Sequence, residues 1–158
     1  MNKVKIIFLD IDGVLKRVQD KGINPIFVAN IKELIEKTGA KIVISSDWRY
    51  NGMDFIKKYL PDIKEHIIDL TPSFDIKKSE DVILDLYVAV PRGFEIREWM
   101  NNYISREHYV SNYVIIDDSQ DMLYGQRDNY VQIDQTKGFD KKCLEKALSI
   151  LEKSNVVF

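Results

Sequence analysis

The chain has 158 residues, of which 45% are hydrophobic and 30% are charged, and its formal net charge is −2. This composition predicts one soluble globular domain over residues 1–158 and excludes a disordered chain, and no apolar run approaches the roughly 18 residues of a membrane helix. The single cysteine, Cys143, excludes an internal disulfide, and with no visible signal peptide we expect a cytoplasmic protein that has no membrane partner.

The first predicted element is an apolar strand over residues 4–9 that runs directly into two aspartates. Asp10 and Asp12 stand at i and i+2, so an extended chain points both side chains to the same side. They would lie at the carboxyl end of a buried strand, where open α/β sheets place their ligands. Two carboxylates this close repel each other unless a divalent cation or a shared proton compensates them. Gly13 then allows the chain to turn away.

A short polar flap and a helix follow the acidic pair. Residues 16–23 are polar and form the predicted flap. Asn24 is the expected N-cap of the helix, and Pro25 is its expected first residue. The sequence Thr38-Gly39 predicts the end of the helix. The flap is far too short to contain an inserted cap domain.

A second apolar strand, residues 41–44, ends in Ser45-Ser46-Asp47-Trp48-Arg49. The Ser-Ser-Asp sequence is typical of a helix N-cap, and a helix N-terminus at this position would also attract phosphate.

The central part of the chain is less regular. Residues 53–60 are predicted to form a helix stopped by Pro61, residues 66–70 a short strand, and residues 71–78 a polar loop. Residues 79–90 are ambiguous, because an initial serine and two acids favour a helix whereas the β-branched residues favour a strand. We interpret this segment as a helix.

The last third contains a further helix, two strands and a terminal helix. Pro91-Arg92-Gly93 opens the first helix, whose predicted buried side is formed by Phe94, Ile96, Trp99, Met100, Tyr103 and Ile104. A strand over residues 113–116 runs into Asp117-Asp118, a second strand covers residues 130–133, and a helix covers residues 141–152. Alternating strands and helices predict a three-layer α/β architecture with a mostly parallel sheet and right-handed crossovers.

The first acidic stretch resembles the first signature of the haloacid dehalogenase (HAD) superfamily of phosphohydrolases, which is Asp-x-Asp-Gly followed by two apolar residues. The resemblance implies a Rossmann-like HAD fold in which Asp10 is the nucleophile that forms an aspartyl-phosphate. It implies that Asp12 is the general acid and base, and that its backbone carbonyl is a metal ligand. The second signature is a hydroxyl at a strand end, which is Ser45 here, with Ser46 as the alternative.

The third HAD signature is a basic residue near a helix start. Arg92 is the candidate, and Arg97, one turn further along, is the alternative. The fourth signature is a late acidic pair, in which the resemblance implies that Asp117 reaches the metal directly and that Asp118 helps directly, through water or by holding the basic residue. Together with Asp10 and Asp12, these residues would form an all-oxygen site that suits Mg²⁺.

Within the superfamily, the segments Ser-Ser-Asp-Trp-Arg, Arg-Gly-Phe-Glu-Ile and Ile-Asp-x-Thr-x-Gly-Phe resemble the HAD-like domain of Swiss-army-knife RNA-repair proteins. That branch is related in design to the phosphatase half of polynucleotide kinase-phosphatases. The resemblance implies removal of terminal phosphates from nucleic acid or nucleotides, for which we take the 3′ end as a hypothesis. Arg17, Arg49 and Arg92 would then hold phosphates, and Trp48 would stack a base or simply pack in the core. Ser46 and Gly13 complete the expected substrate site.

The chain between the second and third signatures leaves roughly twenty residues outside the core elements, so we expect no large cap domain.

Three alternatives remain at this point: a phosphatase acting on a nucleotide or sugar phosphate, a phosphate-sensing module without turnover, and a receiver domain. The early position of the Asp10 and Asp12 pair fits a receiver domain poorly. The sequence leaves open the preference for 3′ or 5′ phosphates, for RNA or DNA, and the oligomeric state.

Overall fold

A computed structural model describes residues 2–74, 76–77, 87–88, 90–104 and 108–153. The helices are α1 (Pro25–Thr38), α2 (Met53–Tyr59), α3 (Arg92–Ile104) and α4 (Lys141–Glu152). The strands are β1 (Asn2–Leu9), β2 (Lys41–Ile44), β3 (Ile67–Leu70), β4 (Ile76–Lys77), β5 (Tyr87–Val88), β6 (His108–Asp117) and β7 (Tyr130–Gln132). None of the helices in these ranges is long and apolar enough to cross a membrane.

The central sheet has five parallel strands in the order β3-β2-β1-β6-β7. Leu9, the last residue of β1, pairs with Ile44 of β2 on one side and with Ile116 of β6 on the other. The residues that follow these three positions are therefore neighbours at the carboxyl edge of the sheet. The parallel α/β fold predicted from the sequence is confirmed, and the described residues contain no large cap domain.

Alternate residues of β1 face two separate hydrophobic cores. Ile7 and Leu9 belong to the core beneath α1 and α4, whereas Ile6 and Phe8 belong to the core beneath α3. Phe8 meets Trp99 of α3 edge-on, with 5.5 Å between ring centroids. This produces the helix, sheet and helix layers of the fold. Because the alternation places residue 8 towards α3, residue 10 is also expected to point to the α3 side.

Two helices have the bounds that the sequence predicts, because their ends carry strong local signals. The Asn24 side chain accepts a hydrogen bond from the Ile26 backbone N–H at 3.0 Å and caps α1. The same helix ends at Gly39, whose φ of 69° is favourable for glycine. Helix α4 covers residues 141–152 as predicted and is capped by Asp140.

Other elements differ from the sequence prediction. Strand β6 begins at His108 instead of residue 113, because polar residues precede its apolar run. One of them, Asn112, is buried and donates hydrogen bonds to the carbonyls of Ile150 and Lys153. Phe94 and Ile104 of α3, expected in the core, are exposed.

The ambiguous segment over residues 79–90 is described at positions 87–88 and 90. Residues 87–88 form β5, which pairs antiparallel with β4, so the helix interpretation is wrong for those two residues. Strand β4 itself falls in the stretch predicted as a loop. Positions 79–86 and 89 lie outside the described residues.

Candidate active site

Three predicted site residues form one row across the carboxyl edge of the sheet. The Asp10 N–H donates to the Ile116 carbonyl, and the Ser45 N–H donates to the Leu9 carbonyl, each at 3.0 Å. Asp117 ends β6 beside Asp10. The side chains of Asp10, Ser45 and Asp117 are all buried. In-register parallel strands thus bring residues from positions 10, 45 and 117 into one site.

An acidic cluster forms the centre of this site. Asp10, Asp117 and Asp118 each present a carboxylate oxygen, and the three oxygens lie within 4.8 Å of one another. Burial and the neighbouring charge of Asp117 raise the pKa of Asp10 well above its usual value. Burial also raises the pKa of Asp117. The three carboxylates offer hard oxygen ligands, and their burial makes ionisation costly unless a positive charge lies nearby. Such a set of ligands fits a divalent cation such as Mg²⁺.

Gly13 makes the close approach of Asp118 possible. Its φ is 80°, and a Cβ atom at this position would lie 2.4 Å from Asp118 Oδ2. A side chain here would therefore be strained in its backbone and would also push the Asp118 carboxylate away. The glycine that the sequence marked as a turn residue thus shapes the acidic cluster.

Arg92 supplies the positive charge of the site. Its Nη1 lies 2.7 Å from Asp117 Oδ2 and 3.4 Å from Asp10 Oδ2. Burial alone would lower the pKa of Arg92, but the charges of Asp117 and Asp10 outweigh it and raise that pKa. The backbone N–H of Arg92 donates to Asp121, which anchors the start of α3. Arg92 therefore stays charged against the two buried carboxylates.

Arg97, the alternative candidate, lies elsewhere. Its guanidinium stands 4.8 Å from the centre of the Phe94 ring, and the residue lines a mostly apolar cavity between α3 and β6. The structure thus brings Arg92, and not Arg97, to the acidic cluster.

The two adjacent serines have different environments. Ser46 Oγ accepts a hydrogen bond from the Trp48 backbone N–H at 3.2 Å and caps the short 3₁₀ helix Asp47–Asn51. Ser45 Oγ is fully buried and has no hydrogen-bond partner among the described residues. A buried hydroxyl without a partner costs free energy, so Ser45 Oγ is suited to a ligand. The N-cap expected for this stretch belongs to Ser46.

Asp12 lies outside the acidic cluster. Its side chain is exposed, and its Oδ2 accepts a hydrogen bond from the indole N–H of Trp48 at 3.0 Å. Trp48 is half-buried and its ring contacts the rings of Phe55 and Tyr59, with centroid distances of 5.8 and 5.7 Å. The tryptophan that was expected to stack a base or to pack in the core therefore also contacts the predicted acid.

Two arginines expected to bind phosphates are engaged elsewhere. Arg49 is 7% exposed, pairs with Glu95 at 2.9 Å, and donates to the Ser45 carbonyl at 2.6 Å. This burial and pairing weaken the expected contact of Arg49 with a substrate, which stays a prediction. Arg17 forms a two-pronged contact with Asp20. Its charge is thereby compensated, which also weakens its predicted phosphate contact.

Sequence reasoning missed two acids that organise these arginines. Asp47 lies 3.4 Å from the Arg92 guanidinium, and Glu95 holds Arg49 in the interior. Asp47 stands beside the predicted serines, so its position was a usable signal. Glu95 lies in the Arg-Gly-Phe-Glu-Ile segment, but no local signal indicated its burial, because an acid in the first turn of a helix is usually an exposed charge that favours the helix dipole.

A comparison with known protein families gives a match over most of the chain. The family described as the HAD domain in Swiss Army Knife RNA repair proteins matches residues 6–144, which include every residue of the acidic cluster, Ser45 and Arg92. A search of curated proteins found no match.

Replacing Ser45 and Ser46 by alanine should have different effects on the stability of the protein. Ser46→Ala should lower the free energy of unfolding by about 1 kcal/mol, because the 3₁₀ helix loses its cap. Ser45→Ala should leave it unchanged or raise it, because the lost hydroxyl has no partner. Urea unfolding of both variants measures the difference. If Ser45→Ala is the less stable variant, the two hydroxyls have been assigned the wrong environments.

Proposed function

The chain belongs to the family of HAD domains in Swiss Army Knife RNA repair proteins, and we propose that it is a Mg²⁺-dependent phosphatase working through an aspartyl-phosphate. We further propose that it removes a terminal, 3′-type phosphate from nucleic acid or nucleotides. The observation that carries the proposal is the meeting of Asp10, Asp117 and Asp118 with Arg92 at one edge of the sheet.

In the first step, a carboxylate oxygen of Asp10 attacks phosphorus while the bond to the leaving oxygen breaks. The electron pair of that bond goes to the leaving oxygen, which takes a proton from Asp12. Arg92, 3.4 Å from the nucleophile, is placed to attract the phosphoryl group and to favour the ionised form of Asp10. The unpartnered hydroxyl of Ser45 is available to donate to a phosphoryl oxygen.

In the second step, water attacks phosphorus and gives a proton to Asp12, and the bond between Asp10 and phosphorus breaks. Phosphate leaves, and Asp10 returns to its carboxylate form. Asp10, Asp117, Asp118 and the backbone carbonyl of Asp12 would hold Mg²⁺, which would neutralise charge on the transferring group. The three clustered carboxylates fit this ion because they are close, partly or fully buried and all-oxygen.

Three features support a nucleic-acid end as the substrate. The described residues contain no large cap, so a polymer end would have access to the site. The exposed rings of Phe55 and Tyr59 flank Trp48, which contacts Asp12, and exposed aromatic rings are suited to stacking bases. The description of the matching family also refers to RNA repair. The burial of Arg49 and the pairing of Arg17 mean that flanking phosphates would be held weakly.

The first test is phosphate release by the purified protein from a phosphate monoester with Mg²⁺ and with excess chelator. Activity should require the metal. Asp10→Asn should abolish turnover, because an amide is a poor nucleophile. Asp54→Asn, which changes an exposed aspartate of α2, is the matched control and should retain activity. Full activity in chelator, or near-normal activity of Asp10→Asn, would contradict the mechanism.

The second prediction separates the two arginines of α3. Arg92→Ala should lower kcat/KM by about 10²-fold or more, because it removes a charge aimed at the phosphoryl group. Arg97→Ala, five residues further along the same helix, should have a small effect. Steady-state kinetics on one ester measures both variants. If Arg97→Ala loses more activity than Arg92→Ala, the functional basic residue is Arg97, and its assignment to Arg92 is wrong.

A further test of the proposed function compares a polymeric substrate with a monomeric one. An oligonucleotide with a 3′-phosphate should show a higher kcat/KM than the matching mononucleotide, and the advantage should shrink as salt rises. Tyr59→Ala should reduce the advantage through lost stacking, leaving p-nitrophenyl phosphate, whose leaving group needs no acid, almost unaffected. Tyr124→Ala is the control, because Tyr124 is 81% exposed and stacks on Arg127 instead of the Trp48 cluster. Equal kcat/KM for both substrates at low salt would favour a small-molecule phosphatase.

A further inference from the structure

Asp12, the catalytic acid proposed for this site, is bonded to a neighbouring tryptophan. Asp12 is exposed, and an exposed aspartate side chain ordinarily samples several rotamers. Among the described residues, the contact found for its carboxylate is the hydrogen bond from the Trp48 indole to Oδ2 at 3.0 Å. Position 12 follows β1 and position 48 follows β2, so this bond ties together two loops that leave adjacent strands.

The donor in this bond, the Trp48 indole, is held by several contacts. The backbone N–H of Trp48 is bonded to Ser46 Oγ, and the indole ring packs against the core beneath α1 and α4. Phe55 and Tyr59, one turn apart on α2, contact the other parts of the ring. An exposed carboxylate is therefore bonded to a side chain that is packed on several sides.

We propose that Trp48 is the positioning residue for Asp12, an inference that rests on the proposed phosphatase function. The indole occupies Oδ2 and leaves Oδ1 to carry the proton. The same oxygen then gives the proton to the leaving group in the first step and takes a proton from water in the second. Trp48 itself need not touch the substrate for this role.

The test removes the indole N–H and varies the leaving group. p-Nitrophenolate leaves without protonation, whereas phenolate from phenyl phosphate leaves more easily when an acid assists it. Both esters present a phenyl ring, and the nitro group of one makes its ring larger and electron-poor. A stacking role of Trp48 would therefore affect the nitrophenyl ester at least as much as the phenyl ester, which is the opposite of the split expected for a positioned acid. A positioned acid contributes roughly 10²–10⁴-fold to such a reaction, and one positioning contact should supply part of it.

Trp48→Phe should therefore lower kcat/KM for phenyl phosphate by about tenfold and for p-nitrophenyl phosphate by much less. Trp99→Phe is the matched control, because the Trp99 indole N–H donates to Asp69 at 2.9 Å away from Asp12. That variant should change both esters equally. In an Asp12→Asn background, Trp48→Phe should have almost no further effect on phenyl phosphate, because the two residues act as one unit.

Equal losses for the two esters in Trp48→Phe, or a full additional loss in the Asp12→Asn background, would overturn the positioning role while leaving the phosphatase intact. If Trp48→Phe does not fold, as judged by circular dichroism, Trp48→benzothienylalanine replaces the N–H by sulfur and keeps the ring size. It is expected to give the same split between esters. A wild-type protein that releases no phosphate from either ester would overturn the proposed function, and the role of Trp48 with it.

Discussion

Buried like charges are the constraint on which this site depends. Asp10 and Asp117 lie side by side in the interior, because β1 and β6 are adjacent parallel strands in which Leu9 pairs with Ile116. Isolated carboxylates in such a place would take up protons instead of remaining charged. Arg92 offsets part of the charge from the start of α3, and a divalent cation would offset more. The position of α3 and the turn at Gly13 can both be understood as conditions for keeping these acids together.

Much of the fold could be predicted because the signals were local. The Asn24 cap, the glycine at position 39 and the apolar strands each depend on a few neighbouring residues, and the structure agrees with them. The row of site residues also followed from local patterns, since each strand end carries its own polar side chain. The parallel sheet then brings those ends together without any further information.

The features that could not be predicted from the sequence depend on contacts between residues that are distant in the chain. An arginine beside two serines looks the same whether it reaches for a phosphate or for Glu95, which lies 46 residues later. The bond between Trp48 and Asp12 depends in the same way on how two loops fold over adjacent strands. Strand β6 was predicted too short, because burial of Asn112 depends on accepting carbonyls at the end of α4. In each case the partner is distant in the chain, so periodicity gives no indication of it.

The buried pair of Arg49 and Glu95 has a consequence for how this protein can change over evolutionary time. Glu95 also accepts a hydrogen bond from the backbone N–H of Phe74, and Arg49 also donates one to the carbonyl of Ser45, so the pair links the end of β2 to α3. Replacing one partner would leave an uncompensated charge in the interior, which typically costs about 3–5 kcal/mol, whereas replacing both by apolar residues is far less harmful. Selection should therefore remove single substitutions at these two positions, and the two positions should covary among homologues of this chain.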